Sequence, residues 1–151
     1  MNDTTMTRKS DPKYDDDLVN KRYVDKLTDN LNKNIHDVIE SGSNTKGTWI
    51  KYDDGIMVCT RNITFSSITI NRQWGAWYVY DNRTFYDFAH EFVSPPIIQK
   101  TLVTTSDAGA VLGDYGGSTV TKAGFSGWSL MRPTTHTVTG SIYVTATGRW
   151  K

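Results

Sequence analysis

The stretch that most constrains the fold is a β-hairpin signal between Thr48 and Thr60. Two short runs of β-prone residues flank Asp54-Gly55 in this stretch. Asp-Gly favours a tight hairpin turn, because such turns need positive φ angles that glycine adopts without steric cost. The stretch therefore predicts the first hairpin of an antiparallel β domain.

The predicted hairpin allows two registers. A two-residue loop sets Ile50 opposite Cys59, whereas a loop that includes Asp53 through a bulge sets Ile50 opposite Val58. Either register predicts that Ile50 and Tyr52 share an apolar face. The two registers differ on whether Cys59 points inward, because a shift of one residue exchanges the faces of a strand.

The rest of the chain predicts further short strands. Runs of β-branched and aromatic residues recur at regular spacing, separated by Gly, Pro, Asn and Asp, with a turn expected at Asp81-Asn82-Arg83. This pattern predicts a mainly β fold, an antiparallel β-sandwich. Four aromatic residues are assigned to its core: Trp49, Phe65, Phe92 and Phe125.

An amphipathic α-helix is predicted ahead of the β region, over residues 14–41. Its apolar residues recur at a spacing near 3.5 and form a narrow seam of Val24, Leu27, Leu31, Ile35 and Val38. Ser41-Gly42 is expected to end the helix with glycine at the C-cap. A narrow seam on an otherwise charged helix favours a short parallel coiled coil. The alternative is a single helix packed against its own domain.

The chain thus divides into three predicted parts. Residues 1–13 are polar and without periodicity, which indicates a flexible terminus, either simply solvated or an attachment peptide for a larger assembly. Residues 14–41 are the stalk helix, and residues 42–151 are the β-sandwich head. The start of the chain has no secretory signal, and no run of residues is long enough for membrane insertion.

Charge and motif content argue against several function classes. A net charge of +1 makes nucleic acid and anionic membranes poor partners. The single cysteine excludes an intrachain disulfide and a cysteine zinc site. The three histidines are far apart, and no catalytic or metal-binding motif is present. We therefore expect no enzyme activity, no cofactor and no metal, although distant carboxylates could still form a glycoside hydrolase site.

Aromatic residues beside polar residues point instead to carbohydrate. Aromatics make up 12% of the chain, whereas apolar residues reach only 37%, which leaves rings available for a surface. Sugars stack an apolar face on a ring and offer hydroxyls to Asp, Arg and His. The candidate saccharide-binding residues are Trp77, Tyr80, Asp81, Arg83, Asp114, Tyr115, Trp128, Arg132 and His136. The alternative is that these rings fill the core or an interface between subunits.

Several segments resemble bacteriophage tail proteins. Asn44–Cys59 resembles the opening of the C-terminal head domain of tail fibres, which runs Gly-x-Trp/Tyr-Ile/Val-Lys/Arg-Phe/Tyr-x-(Asp/Asn)-Gly before a strand that often carries Cys. Val144–Lys151 is similar to that domain's terminal strand and Ile-Gly-Arg-Trp close, with Thr147 where Ile is usual. Phe92–Pro96 resembles its Phe-x-x-Pro step, and Asp17–Asp25 resembles a Leu-Val-x-Lys-x-Tyr-Val-Asp segment found before trimeric stalks.

The resemblance implies a lectin-like β-sandwich of the type found in snail and slime-mould agglutinins. It implies a homotrimeric receptor-binding protein in the virion tail, made in the host cytoplasm and acting outside the cell. Its partners would be bacterial cell-wall or capsular polysaccharide and, through residues 1–24, a baseplate or tail protein. The alternatives are a structural baseplate or collar trimer without glycan binding and a tail-associated glycan hydrolase.

Overall fold

The computed structural model describes residues 15–33, 36–105 and 109–151. The chain forms two compact units, which meet in the sequence between His36 and Asp37. The first unit contains helix α1, Asp15–Lys33. The second unit is mainly β, with antiparallel sheets, and we refer to it as the head. Within the described ranges, no helix combines the length and the apolar character that crossing a membrane requires.

Helix α1 exposes the first part of the predicted seam. Val24, Leu27 and Leu31 are 57%, 44% and 64% exposed, so the single chain leaves this stripe largely open to solvent. Lys21 and Asp25 form an ion pair of 3.6 Å one turn apart on the same helix. Ile35 lies outside the described residues. The predicted trimeric coiled coil remains a prediction.

The predicted helix is too long at its C-terminal end, and Val38 does not belong to a helical seam. Val38–Asn44 is strand β1, which pairs antiparallel with strand β2, Gly47–Tyr52. Gly42 is not a helix cap. A Cβ at Gly42 would lie 2.3 Å from the Trp49 ring, so glycine makes room for the indole on the neighbouring strand. Hairpin pairing and β-branched residues override the weak helical pattern here.

The hairpin of β2 and β3 (Ile56–Ile70) adopts the register with Asp53 in the loop, because Ile50 pairs with Val58. The expected inner face was wrong. Cys59 is 3% exposed and points into the core, whereas Ile50 lies on the outer face. Lys51 occupies an inward position instead. Its side chain is buried, and its Nζ donates to Glu40 Oε2 at 2.9 Å.

The head consists of two antiparallel sheets that share one core. The five-stranded sheet has the order β1-β2-β3-β9-β6, and the four-stranded sheet has the order β4-β5-β8-β7. The longest ladder joins β3 to β9. The remaining strands are β4 Arg72–Trp74, β5 Trp77–Asp87, β6 Ile97–Thr104, β7 Val111–Gly113, β8 Gly124–Arg132 and β9 His136–Arg149.

The core confirms two of the assigned aromatic residues and qualifies two. Phe92 and Phe125 are buried, whereas Trp49 and Phe65 are partly buried and pack against the core. The turn predicted at residues 81–83 is wrong, because these residues lie inside β5. The turn-forming Asn82 produces a local irregularity instead: its Oδ1 accepts a hydrogen bond from the Thr84 amide at 2.9 Å, and the pairing with β8 shifts register just after it.

The outer face of the five-stranded sheet has an uncharged area. Strand pairing aligns outward positions of β3, β9 and β6 in rows such as Val58–Thr147–Ile97 and Thr64–Ser141–Val103. The rows between these two hold Thr, Asn, Gln and Tyr, with no charged side chain. Ile97, Val103 and Tyr143 are 77%, 46% and 50% exposed. We call this area the uncharged face.

Candidate functional site

The outer face of the four-stranded sheet carries a groove of about 220 Å³. Strand pairing sets Val79 opposite Met131 and Asp81 opposite Ser129 on its floor. Side chains alternate across a strand, so these residues share one face while their neighbours in sequence point the other way. Three strands and one turn supply the lining: Arg72, Trp74, Val79, Asp81, Asp114, Tyr115, Gly116, Ser129 and Met131.

Asp81 is the central polar group of the groove. The Ser129 hydroxyl donates to Asp81 Oδ1 at 2.7 Å, and the Arg72 guanidinium pairs with Oδ2. The Asp81 side chain is 16% exposed, whereas that of Arg72 is 58% exposed. Each carboxylate oxygen can still accept a second hydrogen bond, and Arg72 presents further N–H donors. The pair therefore offers both donors and acceptors to the hydroxyls of a ligand.

Two aromatic side chains contribute walls to the groove. Trp74 is 64% exposed and sits in a hairpin with Trp77 as its cross-strand partner. Tyr115 lies against Gly127, where an added Cβ would come within 2.1 Å of the Tyr115 ring. The guanidinium carbon of Arg83 lies 5.8 Å from the centre of the Tyr115 ring, within cation–π range. The groove thus presents an exposed indole and a positioned phenol ring.

The turn that carries Tyr115 is held at both ends. Asp114 forms an ion pair with Lys100 on β6. The Tyr115 carbonyl accepts the Ser118 amide at 3.0 Å and the Ser118 hydroxyl at 2.9 Å. Gly117, at φ +101°, allows the chain to reverse between these contacts. These bonds position the phenol ring on the same side of the sheet as Asp81.

The structure brings together part of the predicted site. Asp81, Asp114 and Tyr115 line the groove, and Arg83 contacts the Tyr115 ring. Trp77 is 42% exposed and pairs with Trp74, but it does not line the groove. Two sets of predicted residues, one from segment 77–83 and one from segment 114–115, therefore contribute to one place. β5 runs next to β8, and Gly113, just before the turn at residues 114–117, pairs with Ser129 of β8.

The remaining predicted residues, Trp128, Arg132 and His136, do not form a surface site. Trp128 is 1% exposed and packs in the core with Phe65 and Tyr80, at ring-centroid distances of 5.4 and 5.8 Å. Trp128 and Tyr80 are therefore core residues, because strand alternation points them inward. Arg132 is half-buried, and its Nε and Nη1 have no hydrogen-bond partner within the described ranges. His136 is exposed at the start of β9 and does not line the groove.

Six of the nine lining residues are missing from the sequence prediction: Arg72, Trp74, Val79, Gly116, Ser129 and Met131. A stricter use of period-2 alternation would have found part of this set. The run from Trp77 places every second residue on one face, which separates Val79 and Asp81 from Tyr80. The Trp-Gly-Ala-Trp hairpin also brings Trp74 to that face. Ser129 enters only through the pairing of β5 with β8, which no local pattern encodes.

The fold is shared with two solved tail-fibre structures. The N-truncated R1-type pyocin tail fibre superposes with a TM-score of 0.52 at 16% identity, covering 82% of this chain and 94% of that one. A P. aeruginosa R1 pyocin fibre fragment comprising C-terminal residues 323–701 gives a TM-score of 0.53 at 14% identity. It covers 98% of this chain, which spans 40% of that fragment. No protein-family model and no curated protein matches the chain. The head therefore has a fold found in pyocin tail fibres.

Proposed function

We propose that this chain is a receptor-binding protein of a bacteriophage tail, which recognises a bacterial cell-surface saccharide as a homotrimer. One observation carries the proposal: a groove that combines an exposed indole and a phenol ring with the Arg72–Asp81–Ser129 network. Rings and paired polar groups together match the two kinds of surface that a sugar presents. The tail-fibre fold and the sequence resemblance support the same assignment.

The homotrimer is supported by two surfaces that the single chain leaves open. One is the stripe of Val24, Leu27 and Leu31 on α1, and the other is the uncharged face of the head. An exposed apolar stripe such as the one on α1 is typical of a surface covered by a partner. The uncharged face carries no charge whose burial between copies would be costly. Three copies would present three grooves, and linked weak sites raise the avidity well above the affinity of one site. In this proposal, residues 1–24 attach the trimer to a tail or baseplate protein.

The test is a binding panel of bacterial wall and capsular polysaccharides with the full chain and two matched variants. Trp74→Ala removes an indole that lines the groove, and Trp77→Ala removes its cross-strand neighbour outside the lining. Stacking on an aromatic ring contributes about 1–1.5 kcal/mol to binding. Its loss in Trp74→Ala predicts an affinity about fivefold to tenfold weaker. Trp77→Ala is expected to bind nearly as well as the wild type.

The two alternatives give different results in the same experiment. A structural baseplate or collar trimer would bind no polysaccharide, and its aromatic variants would change the assembly mass instead. A tail-associated glycan hydrolase would release new reducing ends from the polysaccharide. Asp81 and Asp114 both line the groove, but each is paired with a cation, Arg72 and Lys100 respectively. Any turnover of the polysaccharide would overturn the proposal of simple binding.

A further inference from the structure

A second cavity lies on the other side of Asp114, between the edge strands β6 and β7 of the two sheets. Its volume is about 320 Å³, which is larger than that of the groove. Asp114 belongs to the lining of both, but the other lining residues differ. Leu112 and the exposed Val120 give the second cavity an apolar wall, and Lys100 is the only cation among its described lining residues. We call it the edge cavity.

Lys100 places a partly desolvated ammonium group in the edge cavity. Its side chain is 15% exposed, and its Nζ lies 5.3 Å from the centre of the Phe125 ring. Two hydrogen-bond acceptors are present: the Asp114 carboxylate and the Gly127 carbonyl oxygen at 3.2 Å. An ammonium group has three N–H donors. One donor therefore has no acceptor in the part of the chain that the structure describes.

The counter-ion of Lys100 is easily replaced. The Asp114 side chain is 67% exposed, so its carboxylate can turn into solvent at small cost. The Lys100 ammonium cannot, because it is enclosed by Phe125 and the Gly127 carbonyl. An anionic group that enters the cavity would therefore find the Lys100 ammonium fixed in place with one N–H donor to offer. Its competitor for that ammonium is the Asp114 carboxylate, which can move away.

We infer that the edge cavity binds a sugar residue that carries a carboxylate, with the carboxylate at Lys100 Nζ and the ring against Leu112 and Val120. A single compact cation with one spare donor suits a singly charged carboxylate better than a phosphate, which is typically held by several donors or an Arg fork. The ligand class rests on the proposed function, whereas the location is a separate cavity. Acidic sugars would thus be distinguished from neutral ones at a place other than the groove.

The test compares methyl glucuronide with methyl glucoside, two ligands that differ in a carboxylate, by calorimetric titration of the full chain. The wild type is expected to bind the glucuronide about fivefold or more tightly than the glucoside, with a preference that falls as salt rises. Lys100→Met keeps the alkyl stem and should remove the preference. Lys100→Arg keeps the charge and should retain it. A thermal melt checks that each variant is folded.

Asp114→Asn gives a result of opposite sign. Removing the competing carboxylate should raise the affinity for the glucuronide severalfold, whereas a purely structural ion pair predicts a loss. Equal affinities for the two ligands, or a preference that survives Lys100→Met, would overturn the inference. Trp74→Ala separates the two sites: it should weaken polysaccharide binding at the groove and leave the glucuronide preference unchanged, so failure at one site does not imply failure at the other.

Discussion

Gly127 has a specific steric role at the scale of single residues. Its φ is +59°, and an added Cβ would come within 2.1 Å of the Tyr115 ring and 2.3 Å of the Asn82 carbonyl oxygen. Glycine at this position therefore allows close packing of β8 against β5 and leaves space for the Tyr115 ring, which lines the groove. A change at this position acts on stability and on ligand binding together.

Gly127→Ala is expected to destabilise the head and weaken binding at the groove. Gly75→Ala is the matched control, because Gly75 has a φ of +62° but nothing within 4 Å of an added Cβ. Both variants place alanine in the left-handed region, at a cost of about 1–2 kcal/mol. Urea unfolding should show that Gly127→Ala costs at least about 1 kcal/mol more, because only it adds a clash. Equal losses would show that the Tyr115 contact is not tight.

A second residue-scale prediction concerns acid stability. A hydrogen bond from Lys51, and a smaller contribution from Trp49, hold the pKa of Glu40 below its usual range. The folded head therefore favours the charged carboxylate more than the unfolded chain does. This stabilisation is present above the pKa that the carboxyl has in the unfolded chain and is lost as the pH falls through the lowered folded-state pKa.

Glu40→Gln should therefore lower stability near neutral pH and flatten its fall on the acid side. Thermal melts between neutral and acid pH measure both effects. Glu91→Gln is the control, because Glu91 forms an ion pair with Lys122 in which both side chains are more than half exposed. Such a surface pair contributes little. A wild-type pH profile in Glu40→Gln would contradict the assignment.

Among the elements, α1 and β1 show what a sequence pattern can and cannot decide. A spacing near 3.5 identifies the helix, but the same spacing continues into Val38, which is in a strand. Local periodicity carries no information about the partner strand Gly47–Tyr52. Pairing with that strand decides the structure of residues 38–44. For the hairpin of β2 and β3, the observed loop that includes Asp53 was one of the two predicted registers. Its inner face was not predicted, because the buried Lys51 contacts Glu40 and the Trp150 ring, which lie on other strands or at the far end of the chain.

The shortened seam leads to an element-scale prediction for α1. Leu27→Glu places a glutamate in the proposed seam. Lys26→Glu is the control, because it places a glutamate at the preceding position, which lies outside the seam. Burying an unpaired charge is costly, so Leu27→Glu should weaken the trimer whereas Lys26→Glu should not. Light scattering over a dilution series measures the difference. Identical masses for the two variants would remove the helix from the interface.

At the scale of the whole molecule, the two units give a prediction about assembly. Three copies of the 17.0-kDa chain would have a mass of about 51 kDa. A seam of so few apolar residues is marginal alone, so residues 37–151 should also form a trimer, through the uncharged face. Light scattering of the full chain and of residues 37–151 alone tests this. A trimeric full chain with a monomeric head would assign the whole interface to α1, and a monomeric full chain would exclude the homotrimer.

The candidate site was predictable in part at this scale. Asp81, Asp114 and Tyr115 were selected because their side-chain types suit a sugar, and they do line one groove. Trp128 has equally suitable chemistry but lies in the core. A shift of one residue along a strand decides whether a side chain faces the groove or the core. The bulge after Asn82 and the pairing across the sheet fix that alternation. Residue type indicates what a site can bind, whereas long-range pairing decides which residues reach it.

The position of β9 has a consequence for synthesis. β9 lies between β3 and β6 in the sheet but follows both along the chain, so these strands share no neighbour until residues 136–149 have been made. At roughly 5–20 residues per second, the ribosome needs about 4–16 s to pass from the end of β3 to the end of β9. The free edge of β3 awaits a partner for that whole interval, and the edge of β6 awaits one from residue 104 onward. The five-stranded sheet therefore closes only after translation has passed the last strand, and neighbouring nascent chains must be kept apart until then.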